Sequence, residues 1–224
     1  MNVLITGASG GLGGVVSCAV LGGGHKIAGL ARSWKEDQQA EGFTPIAADL
    51  TSPSAAQSAI ESAARALGGI DAVIHTVGGF AGGVNVEDTS LKDAQKMFDM
   101  NFWPAFHLAH AILPHFRAQG HGRIVAIGAL AATRHPATLG AYAASKAALR
   151  SLILTIANET KNSGITANLI SPSTMDTPVN RSAMPDADPS LWIPPKHVAS
   201  LALWLLCPEA SSVTGQDIAV TGRD

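Results

Sequence analysis

Seven short apolar runs rich in valine and isoleucine, each of strand length, recur along the chain with longer segments of helical period between them. They are NVLI from Asn2, HKIAGLA from His25, FTPIAA from Phe43, DAVIHTV from Asp71, GRIVAIG from Gly122, GITANLI from Gly164 and DIAV from Asp217. Helical patterns fall at about residues 11–22, 54–67, 90–119, 139–162 and 196–206. Strand alternating with helix implies a mostly parallel sheet covered on both faces, and right-handed crossovers leave a doubly wound α/β fold of about seven strands. At 224 residues and 46% hydrophobic content, the chain suits one such domain, residues 1–224, and is too short for two. One stretch breaks the pattern. Residues 173–195, STMDTPVNRSAMPDADPSLWIPP, lack a period and are rich in proline, which predicts a long irregular segment acting as a lid over a ligand.

Formal net charge is −2 and the basic residues are scattered, so nucleic acid and anionic membrane surfaces are not expected partners. Apolar runs such as LALWLLC fall far short of the roughly 20 residues that cross a bilayer. The start, MNVLITGASGG, lacks a basic leader and reads as strand and turn, so a cytoplasmic protein is expected. Cys18 and Cys207 each lie in an apolar helical pattern and are expected as buried free thiols.

In LITGASGGLGG, Gly7, Gly11 and Gly13 stand between the first strand and the first helix. Glycine there permits a tight turn and lets backbone N–H groups approach a pyrophosphate at the helix N-terminus. The second strand ends AGLARSW. An acidic tip would bond a ribose 2′-hydroxyl, whereas Ala31 offers nothing and Arg32 with Ser33 offers a charge and a donor for a 2′-phosphate. NADP(H) is therefore favoured, with NAD(H) as the alternative. Asp49 and Leu50 follow the third strand, where adenine would lie, and Thr51 or Ser52 is placed to cap the next helix. Tyr142, the only tyrosine, and Lys146 are four residues apart in an alanine-rich run and share one helical face. A phenol of pKa about 10 is a poor base at neutral pH, and a nearby cation stabilises its phenolate.

These features resemble the short-chain dehydrogenase/reductase family. TGASGGLG, which contains Gly7, Ser9, Gly11, Leu12 and Gly13, is similar to the family's TGxxxGxG, and YAASK to its YxxxK. Asp49, Asn101 in DMNFWP, NLISPSTMDT and the final TGQDIAV keep the family's order almost end to end. The resemblance implies a Rossmann-type sheet, a nicotinamide cofactor and hydride transfer with a small-molecule substrate. On its terms Tyr142 is the acid or base, Lys146 lowers its pKa and holds the nicotinamide ribose, and Asn101 holds a water in a proton relay. Gly78 lends its backbone, and Pro172, Met175 and Thr177 contact the nicotinamide end. A homodimer or homotetramer joined through the long helices near residues 101–118 and 141–161 is also implied, with AFHLAHAILPHF facing its partner. His107 and His110 in that stretch have no carboxylate at ligand spacing, so no metal is expected.

Two departures stand out. The family's NNAG is here HTVG, with His75 replacing a structural Asn, and the family's catalytic serine position is Ala129. Ala129 together with VGGFAGG and DTPVNRSAMPDAD resembles one branch of the family, the dihydropteridine reductases, which also lack the serine. That resemblance implies reduction of a conjugated acceptor such as quinonoid dihydropteridine, with Phe80, Met184 and Trp192 contacting its flat ring near Ala129. The alternatives are a general carbonyl or alcohol oxidoreductase of the same family and an NADP(H)-binding regulator with little turnover.

Overall fold

A computed structural model describes residues 1–34 and 40–223. The strands are β1 (Asn2–Thr6), β2 (Lys26–Ala31), β3 (Phe43–Ala47), β4 (Ala72–His75), β5 (Gly122–Ile127), β6 (Ile165–Pro172) and β7 (Asp217–Val220). They form one sheet in the order β3-β2-β1-β4-β5-β6-β7, and every pair is parallel. The chain moves outward from β1 to β3 and then returns to lay β4 beside β1. Carboxyl ends of parallel strands at such a reversal open a crevice, and there a ligand lodges.

Helices α1 (Gly11–Gly22), α2 (Pro53–Leu67), α3 (Leu91–Asn101), α4 (Trp103–Gln119), α5 (Ala131–Arg134), α6 (Gly140–Glu159), α7 (Pro178–Ala183) and α8 (Pro195–Trp204) connect them. Side chains from α2, α4 and α6 pack with Leu4, Leu30, Val73 and Leu169 on one face of the sheet. On the other face α1 and α8 pack with Val3, Ile5, Ile74 and Ile170. Both faces are covered, which is why the strands read as continuous apolar runs.

Three expectations need revision. The helix expected over 90–119 is two helices, because Pro104 has no N–H to continue the ladder and sits in the first turn of α4. The segment 173–195 is not wholly irregular: Thr177 caps α7 by accepting from the Asn180 N–H, and Pro189–Leu191 make a 3-10 turn. A parallel bridge between Met175 and Ile193 closes its base. Finally, Cys18 is exposed and Cys207 half-buried, although both are free thiols as expected. Cys18 lies on the side of α1 opposite Val16 and Val20, which take the core.

Candidate active site

The turn after β1 is built by glycine. Gly7 has φ +72°, a left-handed conformation, and a Cβ there would fall 2.8 Å from Thr76 Oγ1. A Cβ on Gly13 would collide with the Gly7 carbonyl, so α1 can approach β1 only without one. Gly11, by contrast, faces open space. No side chain caps α1 and its first turn holds no acidic residue, so its N-terminal amides present an uncompensated positive end. This cradle fits a pyrophosphate. Ser9 is exposed beside it, while Leu12 is buried in the α1–α8 core.

Beyond β2, Arg32 and Ser33 are exposed. Asp49 is exposed too, with Oδ1 accepting from the Thr51 N–H at 3.1 Å, and Ser52 caps α2. The Leu50 side chain is buried with α2 and α4, and its carbonyl meets His107 Nδ1 at 2.9 Å.

Tyr142 lies in the first turn of α6, half-buried, and Lys146 one turn further, 5% exposed. Lys146 Nζ donates to the Ile127 carbonyl at 3.0 Å. Among the described residues no carboxylate pairs with it, and burial lowers its pKa to about 8. Burial also raises the Tyr142 phenol to about 12. Burial is the whole cause of that rise, with no contribution from Lys146. Asn101, the last residue of α3, is fully buried and binds the Gly79 backbone twice, accepting from its N–H at 2.9 Å and donating to its carbonyl at 3.1 Å. A Cβ on Gly78 would stand 2.9 Å from Asn101 Oδ1 and 3.1 Å from Lys146 Nζ. Tyrosine helix, lysine and asparagine thus converge beside one bare backbone position, and a buried, unpaired ammonium next to it fits the hydroxyls of a ribose.

Phe80, 65% exposed, lies edge-on to Tyr142 with ring centroids 5.0 Å apart. Ala129 is buried at the end of β5, next to Leu130, whose N–H donates to the Pro172 carbonyl. Thr133 gives its hydroxyl hydrogen to the Leu130 carbonyl. Of the lid residues, Met184 is exposed, but Trp192 is only 7% exposed and presents no open ring face. Met175 and Thr177 are half-buried at the lid's base, with the Thr177 hydroxyl already capping α7. Two buried residues of the site were not anticipated as such: Ser145, one position before Lys146, and His75, whose Nδ1 bonds Thr6 Oγ1 at 2.8 Å while Nε2 has no partner. For Ser145 the available signal was its spacing of three from Tyr142 on the same helical face.

Residues 1–188 match the family described as short chain dehydrogenase. The chain belongs to that family. As a short chain dehydrogenase it is 30% identical over 242 aligned positions to 2,3-dihydro-2,3-dihydroxybenzoate dehydrogenase of Escherichia coli, covering 99% of this chain and 95% of that one. It is 27% identical to the 7alpha-hydroxysteroid dehydrogenase of the same organism, covering 98% and 92%. A solved short-chain type dehydrogenase/reductase from Mycobacterium ulcerans superposes with a TM-score of 0.90 at 22% identity, over 99% of this chain and 88% of that one. The 3-ketoacyl-(acyl-carrier-protein) reductase of Brucella melitensis, solved with NADH, gives 0.86 at 23%, covering 97% and 95%. This short chain dehydrogenase is an NAD(P)-dependent oxidoreductase with a single-domain Rossmann-type fold. Among its described residues no helix is long and apolar enough to cross a membrane. These relatives are named for hydroxyl and keto substrates, and they give no support to the narrower resemblance to dihydropteridine reductases.

Proposed function

We propose that this enzyme is an NADP(H)-dependent reductase of a small, flat, conjugated acceptor such as quinonoid dihydropteridine, with Tyr142 as proton donor. When bound, the nicotinamide supplies the hydride. The turn at Gly7–Gly13 would hold its pyrophosphate, Arg32 and Ser33 its 2′-phosphate, and Lys146 its ribose near Gly78. Tyr142 carries its proton through the neutral range, as a phenol of ordinary pKa about 10 already does and as burial reinforces, so the proton to be donated is in place.

Ala129 is the observation that carries the substrate reading. Losing one donor aimed at a developing oxyanion costs about 10²–10³ in rate, roughly 3–4 kcal/mol, a heavy penalty for a simple ketone. A conjugated ring spreads the incoming electrons and avoids most of it. The exposed face of Phe80 offers such a ring a stacking surface, and the segment 173–195 would close over it as a lid. A second reading, oxidation of a ring hydroxyl, is favoured by the name of the relative at 30% identity. An inactive regulator is disfavoured, since binding alone has no need of Tyr142, Lys146 and Asn101 together.

Steady-state kinetics separate these readings. The conjugated acceptor should exceed aliphatic ketones by at least about tenfold in kcat/KM, and Ala129→Ser should narrow the gap by improving ketone reduction. Ketones or ring alcohols preferred by the native enzyme would sink the proposal. We also infer a homodimer or homotetramer joined through α4 and α6, and a cytoplasmic location consistent with two unpaired thiols.

A further inference from the structure

Both hydrogens of the Asn101 amide are committed. Its Oδ1 accepts from the Gly79 N–H, and Nδ2, which has two hydrogens, donates to the Gly79 carbonyl and to Ser145 Oγ at 3.1 Å. The side chain has no hydrogen left to hold a water. Ser145 is fully buried and donates its single hydrogen to the Tyr142 carbonyl at 2.8 Å while accepting from Asn101. A continuous chain of bonds therefore runs from the backbone of the tyrosine, through the end of α3, to the loop after β4. The next residue in that loop is Phe80. At the loop's far end the Gly83 N–H donates to the carbonyl of Thr138, itself held in the left-handed region at φ 64°. Phe80 is exposed, yet its backbone lies between two anchored points and its ring meets Tyr142 edge-on.

We propose that Ser145 is a positioning residue: by orienting Asn101 it holds the Gly79 backbone, and with it the Phe80 ring, in register with the Tyr142 phenol. The proton donor and the wall a substrate lies against then move as one unit. Local helix energetics do not explain a serine here. A serine that bonds back to its own helix is, if anything, weakly unfavourable, and alanine is the better helix former. Removing the hydroxyl instead leaves a buried Asn101 hydrogen without an acceptor, and the amide must turn or shift to satisfy it. Only for its kinetic consequence does the inference rest on the proposed function, with Tyr142 as proton donor and a conjugated acceptor as substrate.

Tyr142 is the only tyrosine, so full-length protein with ring-labelled tyrosine gives one set of ring NMR signals that needs no assignment. The Phe80 ring shifts those signals, and Phe80→Leu calibrates the shift. In Ser145→Ala the signals should move toward the Phe80→Leu positions. The KM for the conjugated acceptor should rise about tenfold, with NADPH affinity within about twofold of native. A purely structural role would reduce the folded fraction, lowering apparent kcat and leaving KM alone. Ring signals coinciding with native overturn the proposal, as does an unchanged KM with a fallen kcat. Should the alanine variant fail to fold, Ser145→Cys, whose longer bonds displace Asn101, is read the same way, and native ring signals there also overturn it. Failure of the proton-donor reading is separate: it appears as native turnover in Tyr142→Phe and leaves the NMR result standing.

Discussion

His75 is 2% exposed, with one ring nitrogen bonded to Thr6 and the other without a partner. Burial first, and the Lys146 cation second, push its pKa from 6.5 to about 3. Above pH 6.5 the imidazole is neutral in folded and unfolded chains alike. Between 6.5 and about 3 only the unfolded chain takes up a proton, so stability falls as pH drops through that window. From pH 7 to pH 5 the residue should cost about 2 kcal/mol, and His75→Asn should abolish that share of the loss in urea titrations. Equal pH sensitivity of the two proteins would contradict it. Cofactor choice is also a single-residue matter. Arg32→Asp should weaken NADPH binding by about 2–5 kcal/mol with little effect on NADH, measured by calorimetry. Native protein binding both equally would contradict the 2′-phosphate role. Residues such as Gly7, Tyr142 and Lys146 were legible because backbone conformation and helical spacing are local properties. The burial of Leu50 and Trp192 was not legible, because the direction of a side chain after a strand or within a loop is decided by elements that arrive later in the chain. The duties of Asn101 were hidden for the same reason: its partners lie 22 and 44 residues away.

Elements were legible where period and punctuation agreed. The seven strands fall where valine and isoleucine cluster, and α1 spans Gly11–Gly22 as its pattern predicts. The α3–α4 break was written in Pro104, but an unbroken apolar period across it outweighed one proline. Between β2 and β3 the chain spends only residues 32–42, and Trp34 packs edge-on to Phe43 over Gly29, where a Cβ would come within 2.5 Å of the Phe43 ring. A close backbone joint sets α1 against the turn after β1. Gly13→Ala drives a methyl into the Gly7 carbonyl, a rigid backbone atom, so the helix must withdraw. Overpacking of this kind costs about 1–3 kcal/mol or more, and here it also moves the anion-binding amides. Both a lower thermal midpoint and weaker coenzyme binding are expected; a variant unchanged in both would show that α1 docks less closely than described.

For the whole molecule, α4 carries the exposed aromatic face of the proposed interface. Trp103 and Phe106 are 40% and 41% exposed, and His110 is exposed beside them. His107 is not outward as expected: its Nδ1 meets the Leu50 carbonyl at 2.9 Å and its ring stacks on Trp103. Trp103→Glu places a charge in the middle of the proposed interface and should shift the mass measured by light scattering toward the monomer. A native protein already monomeric at micromolar concentration would refute that assembly. The bridge between Met175 and Ile193 has a consequence of another kind. Because the two ends of the lid segment are already joined, the chain between them is a closed cassette whose length can change at little cost, about 0.6 kcal/mol for each doubling. If the segment is the lid proposed above, exchanging residues 178–191 as a block should change substrate preference while the sheet, the glycine turn and the tyrosine helix fold as before.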